Sequence, residues 1–135
     1  MVGLETTTST SVLVAEDDRV ISDVIRFNLE RARYAVTIAR NGTEAWSLLQ
    51  TRNFDVLVTD YQMPGMTGEE VCRIFRTTYP EKHLPVIFLS ARGLELNVSR
   101  MQKELGIETL LYKPFSPREL VEEIAKCARK SPMLP

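Results

Sequence analysis

Cysteine, histidine, tryptophan and net charge are all scarce in this chain. The two cysteines, Cys72 and Cys127, belong to no Cys-x-x-Cys or Cys/His cluster, so neither a thiolate zinc site nor a disulfide scaffold is expected. They read as small buried helix side chains in a reducing compartment, the cytoplasm. The 17 Lys and Arg nearly cancel the 18 Asp and Glu, for a net charge of -1. That balance gives no electrostatic footprint for nucleic acid, and direct nucleic-acid binding is not expected. No apolar run approaches ~18 residues, which argues against a transmembrane helix and a membrane partner. The stretch Met1 to Thr10 has neither the basic start nor the apolar core of a secretory signal. The one histidine, His83, lies in the polar connector 80–85 and reads as a solvated loop residue.

What is present is alternation. Five short runs rich in aliphatic and β-branched residues recur at Val12–Ala15, Tyr34–Ala39, Phe54–Thr59, Val86–Leu89 and Thr109–Tyr112. Between them lie stretches of helical period. The first is expected to place Val20, Ile21, Val24 and Ile25 on one face, the second Ala45, Leu48 and Leu49, the third Val71, Ile74 and Phe75. The fourth carries the stripe Leu94, Val98, Met101 and Leu105, and the last Leu120, Val121, Ile124 and Ala128. Thr67-Gly-Glu-Glu70 and Ser116-Pro-Arg-Glu119 have capping-box form, Asn41-Gly42 marks a turn, and Gly106 sits where a helix should stop. Trp46 reads as a half-buried helix side chain, and Arg129 and Lys130 as complements to the last helix dipole. Five β-α units imply an α/β domain, a parallel sheet covered by helices on both faces, over residues 11–130 with tails at 1–10 and 131–135.

In an open α/β sheet, sites form at the carboxyl ends of the strands. Here those ends carry Glu16-Asp17-Asp18, Asp60, Ser90-Ala91 and Lys113-Pro114-Phe115. Clustered carboxylates repel unless a cation sits among them, and an all-oxygen set suits Mg²⁺. Asp60 would be a nucleophile toward phosphorus, Lys113 a point charge on a phosphoryl oxygen, and Ser90 a hydrogen-bond donor. Asp18 reads as a helix cap, since acids favour the positive end of the helix dipole.

Glu16-Asp17, Asp60-Tyr-Gln-Met-Pro-Gly-Met-Thr-Gly68, Ser90-Ala91 and Lys113-Pro114-Phe115 together resemble the signature set of response regulator receiver domains in two-component signal transduction. The resemblance covers about residues 11–130. It implies a three-layer αβα sandwich, flavodoxin-like (βα)5, with strand order 2-1-3-4-5. It implies Asp60 as acceptor of a phosphoryl group from a sensor histidine kinase or phosphotransfer protein. Asp17 and Asp60 would ligate Mg²⁺ directly, Glu16 through water and Gln62 through its backbone carbonyl. A cis Lys113-Pro114 bond is implied too, as is phosphorylation-dependent homodimerisation through the face formed by the fourth and fifth helices.

The chain departs from that family at Leu110, where members usually carry Tyr or Phe three residues before the lysine. Leu110 and Tyr112 should share a strand face, so Tyr112 is expected to take over part of the signalling surface. Arg92, two residues after Ser90, is expected to shield the phosphoryl group from water. Two other functions compete: a receiver-like interaction module that signals without phosphate, and a metal-dependent phosphatase with an aspartyl intermediate. The second usually needs an acid two residues after the nucleophile, where Gln62 stands. No segment resembles an output domain, which leaves a stand-alone receiver or a piece of a longer regulator or hybrid kinase.

Overall fold

The computed structural model describes residues 9–91 and 96–130, apart from the side chains of Arg129 and Lys130. The sequence readings for Arg92, Leu94, most of the two tails, and the Arg129 and Lys130 charges lie outside the described residues. Ten elements alternate: β1 (Ser11–Ala15), α1 (Arg19–Arg31), β2 (Ala35–Ala39), α2 (Gly42–Thr51), β3 (Val56–Asp60), α3 (Gly68–Thr78), β4 (Val86–Ala91), α4 (Val98–Leu105), β5 (Thr109–Lys113) and α5 (Pro117–Lys130). The strands form one parallel sheet in the order β2-β1-β3-β4-β5.

Period-two alternation divides the strand residues between two cores. Leu13, Leu57, Phe88 and Leu110 pack with Ala45, Leu49, Val71, Phe75 and Leu105, beneath α2, α3 and α4. Val12, Val14, Val58, Ile87 and Leu111 pack with Ile25, Leu29, Leu120 and Ile124, beneath α1 and α5. Each such side chain contributes about 1.5–3 kcal/mol when fully buried, so two apolar faces per strand account for the unbroken hydrophobic runs. Cys72 and Cys127 are both buried, as the sequence implied. Among the described residues, no helix is long and apolar enough to cross a membrane.

Helix ends follow the sequence signals. Asp18 caps α1 by accepting from the Ile21 N–H at 3.1 Å, and Asn41 caps α2 through Glu44 at 2.8 Å. Thr67 and Glu70 form a complete capping box on α3. At α5 the Glu119 N–H donates to Ser116 Oγ at 3.4 Å. Gly106 ends α4 in the left-handed region, φ 68°.

The expected apolar face of α1 needs correction. Its inward stripe is Ser22, Ile25 and Leu29, while Val20 is 72% and Val24 45% exposed. Val20, Val24 and Phe27 recur at i, i+4 and i+7, so α1 carries a second apolar stripe that points outward. Buried Ser22 is accommodated by hydrogen bonds, its hydroxyl donating to the Arg19 carbonyl and accepting from Arg40 Nη1, both at 3.0 Å. On α3, Cys72 rather than Ile74 completes the inward face, Ile74 being 36% exposed.

Candidate functional site

The crossover direction reverses between β1 and β3, and the acids meet at that switch point. Register does the placing. Ala15 pairs with Thr59, which sets Glu16 beside Asp60; Asp60 pairs with Leu89, and Ala91 with Lys113. Glu16, Asp17 and Asp60 each present an oxygen within 4.8 Å of the others, Glu16 and Asp60 buried and Asp17 exposed. Lys113 reaches across from β5, its Nζ 3.0 Å from Asp60 Oδ2 and 2.9 Å from Glu16 Oε1. The Lys113-Pro114 peptide is cis, as the resemblance implied.

Burial pushes the Glu16 carboxyl above its ordinary range, against the pull of Lys113 and of the Asp18 N–H bonded to Oε2 at 3.1 Å; the Asp60 charge adds to the upward push. For Lys113, burial works against the charge, yet its pairing with the Glu16 and Asp60 carboxyls holds it above the ordinary lysine value. One ammonium among three carboxyls leaves surplus negative charge. Glu16 Oε1 pairs with Lys113 at 2.9 Å and has no other partner among the described residues. Three converging hard oxygen donors fit a small divalent cation that keeps several waters.

The backbone carrying Asp60 is tightly held. Thr59 Oγ1 donates to the Asp60 carbonyl at 3.0 Å, the Tyr61 N–H to the Leu89 carbonyl at 2.7 Å, and the Gly68 N–H to the Tyr61 carbonyl at 3.0 Å. Gly68 comes so close that a Cβ there would collide with the Asp60 carbonyl oxygen. Gly65 turns the loop between β3 and α3 at φ +76°. Ser90 is buried on β4, its hydroxyl donating to the Ala91 carbonyl at 3.4 Å, and Gln62 is exposed in the loop. Neither is hydrogen-bonded to the acids among the described residues. His83 is exposed in its connector and Trp46 half-buried, as read from the sequence.

Two features went unread in the sequence. Val20 and Val24 of the outward α1 stripe border the site, and with Ile21, Pro114, Phe115 and the flank of Lys113 they line a concavity of about 350 Å³. The hydroxyl of Tyr61, the residue after Asp60, donates to Glu69 Oε1 at 3.0 Å. The first was detectable as apolar residues out of phase with the inward stripe. The second depends on where α3 sits, which residue spacing does not tell.

A doubly wound sheet with an acid cluster at its switch point and a lysine closing it defines a class of phosphoryl-handling α/β domains. Within that class, residues 12–125 match the family model described as response regulator receiver domain, and the chain belongs to that family. It is 39% identical over 129 residues to the transcriptional regulatory protein ResD of Bacillus subtilis, covering 95% of this chain and 52% of that protein. The chain thus spans about half the length of that relative. The receiver domain of the Francisella response regulator 1452 superposes with a TM-score of 0.81 at 34% identity, covering 90% of this chain and 98% of that one. The chemotaxis response regulator CheY4 of Vibrio cholerae does so with a TM-score of 0.75 at 31% identity, covering 89% and 99%. Family membership makes the domain a phosphoaccepting signal module and not an enzyme that turns over a separate substrate.

Proposed function

We propose that Asp60 is the phosphoacceptor and that Glu16, Asp17, Asp60 and the Gln62 carbonyl hold Mg²⁺. The observation that carries this is Lys113 Nζ seated between Asp60 and Glu16 at the mouth of an acid cluster. When bound, the cation supplies charge neutralisation at the phosphoryl oxygens. A carboxylate oxygen of Asp60 attacks phosphorus, and the bond from phosphorus to the donor breaks, its electron pair returning to the donor's imidazole nitrogen. Lys113 exchanges part of its carboxylate pairing for a phosphoryl oxygen, and Ser90 turns its hydroxyl from the Ala91 carbonyl toward another. Positioning and neutralisation are the whole of the chemistry asked of these side chains.

The donor is a phosphohistidine on a sensor kinase or phosphotransfer protein, in the cytoplasm. The exposed apolar stripe of α1, next to Lys113, favours a partner that lays an apolar helix face beside the site. Output passes to a downstream protein or an attached output domain, or through a phosphorylation-dependent homodimer on the α4–α5 face. Tyr112, half-buried on the same face of β5 as Leu110, contributes to that output surface. If it does, Tyr112→Ala weakens partner binding by the phosphorylated protein, and an unchanged affinity removes it from the surface.

The central test is incubation with acetyl phosphate and Mg²⁺ followed by intact mass. Wild type should gain one phosphoryl group and Asp60→Asn none. Leu110, in place of the family's aromatic, favours a second reading, an interaction module that needs no phosphate. A wild-type protein that gains no mass while still binding a partner would establish that second reading instead.

A further inference from the structure

Beside their apolar contact in the core, α3 and α4 are joined by a run of hydrogen bonds and ion pairs. α4 is eight residues long and only Leu105 within it is buried. Arg76 on α3 fastens its C-terminus, Nε and Nη2 donating to the Leu105 and Gly106 carbonyls at 3.0 and 3.2 Å. Charge ties its outer face. Glu104 accepts from Arg100 Nε at 2.7 Å and lies 3.4 Å from Arg73 Nη2 on α3. Arg73 grips Glu69 with Nη2 and Nε at 2.8 and 3.0 Å, and the other Glu69 oxygen accepts the Tyr61 hydroxyl. Tyr61 directly follows Asp60, and its ring meets Phe88 of β4 edge-on at 5.6 Å.

We propose that the chain Tyr61–Glu69–Arg73–Glu104 couples the phosphoryl state of Asp60 to the seating of α4 on α3, in place of an aromatic at position 110, where β5 carries Leu110. The proposal rests on Asp60 being the phosphoacceptor. Leu110 is buried and has no polar atom with which to relay a change. Tyr61 has one, and its backbone is pinned at both ends of the peptide next to the acceptor. The Tyr61 side chain, its ring on Phe88 and its hydroxyl on Glu69, is the route by which a rearrangement at Asp60 would reach α3. A cleft of about 350 Å³ lined by Tyr61, Glu69 and Arg73, with Asn97, Arg100 and Met101 opposite, leaves room for that shift.

The energetic scale suits a switch. Exposed ion pairs are individually weak, and α4 is otherwise held by Leu105, by half-buried Val98 and Met101 and by Arg76, so small changes in its polar contacts can shift its seating. A core-anchored helix such as α5 could not be moved so cheaply. Linkage then requires reciprocity: loosening α4 must be felt at Asp60.

Amide hydrogen exchange across residues 98–105 tests the coupling in wild type, Tyr61→Phe, Glu104→Gln and the double variant, each with Mg²⁺ alone and with Mg²⁺ plus beryllium fluoride. Intact mass after acetyl phosphate treatment of the same proteins reads acceptor chemistry separately. Each single variant should speed α4 exchange about threefold without the phosphoryl mimic, the double variant no more than either single one, and all three should lose most of the response to the mimic. Wild-type exchange in Tyr61→Phe, additive effects in the double variant, or an undiminished response would overturn the coupling. Proteins that take up phosphate normally while showing any of these results sink the coupling alone. Wild type that takes up none sinks the reading of Asp60, and the coupling with it.

Discussion

Lys113 Nζ lies 3.0 Å from Asp60 Oδ2, an ion pair closed between residues 53 apart in the chain. The lysine side chain is only 20% exposed and also holds Glu16, so the interaction is shielded from competing water. Replacing it by methionine keeps much of the apolar stem and deletes the charge. Phosphorylation of Lys113→Met by acetyl phosphate should slow by about 100-fold, the usual cost of losing one preorganised partner of a developing charge. Rates within threefold of wild type would show that the lysine is structural.

The same cluster predicts a stabilising response to cation. With the metal at about ten times its Kd, binding to the folded state alone should add about 1.4 kcal/mol, a melting shift of a few degrees. Asp17→Asn should reduce that shift, since Asp17 is one of three converging oxygens, and its exposure keeps the fold unharmed. Equal shifts in the two proteins, measured by calorimetry with and without chelator, would remove Asp17 from the ligand set.

Much of this site was legible because strand ends are easy to find. Asp60 and Lys113 each close an apolar run, and topology alone then brings them to one edge of the sheet. Capping residues such as Asp18 and Thr67 were legible for a similar reason, their partners lying three residues away in sequence. Val20 and Val24 were misplaced because a helix with two apolar stripes cannot announce which one faces inward. The inward stripe includes Ser22, whose burial is tolerated through a hydrogen bond from Arg40, the residue just after β2, and spacing within α1 does not reveal that partner. The Tyr61–Glu69 bond was invisible for the same reason, being set by how α3 docks.

Gly68 offers a backbone test. A Cβ there would meet the Asp60 carbonyl oxygen, and backbone cannot swing aside as a flexible side chain can. Gly68→Ala should cost about 2 kcal/mol in urea unfolding and slow phosphorylation, because the start of α3 and the acceptor peptide must part. Gly65→Ala, strained by its positive φ and close to Thr43 Oγ1, should cost about 1 kcal/mol and leave the acceptor peptide in place. Similar phosphorylation rates in the two variants would contradict the distinction.

Acid should loosen α4. Glu69 is held below the usual carboxylate range chiefly by its hydrogen bonds from Arg73, and Glu104 chiefly by that from Arg100. A carboxyl depressed in the folded state favours the fold fully above its unfolded value and loses that contribution as pH falls through the folded one. Exchange of α4 amides, corrected for intrinsic rates, should therefore accelerate below about pH 4. Glu104→Gln should flatten that acid limb, and a limb of wild-type steepness would place the titration elsewhere.

Substitutions on the outward stripe of α1 test the proposed docking face apart from the chemistry. Val20, Val24 and Phe27 are exposed and contribute little to either core, so Val24→Glu and Phe27→Asp should melt within about 0.5 kcal/mol of wild type. Neither touches the acids, so both should accept phosphate from acetyl phosphate at the wild-type rate. If a protein donor docks on this stripe, as proposed, it buries part of it, and a charge there has to be desolvated against an apolar partner. Transfer from a phosphohistidine donor should then fall about tenfold, equivalent to about 1.4 kcal/mol of lost docking. Equal transfer rates from the protein donor would remove α1 from the docking surface, and slower reaction with both donors would mean that the substitutions reach the acid cluster itself.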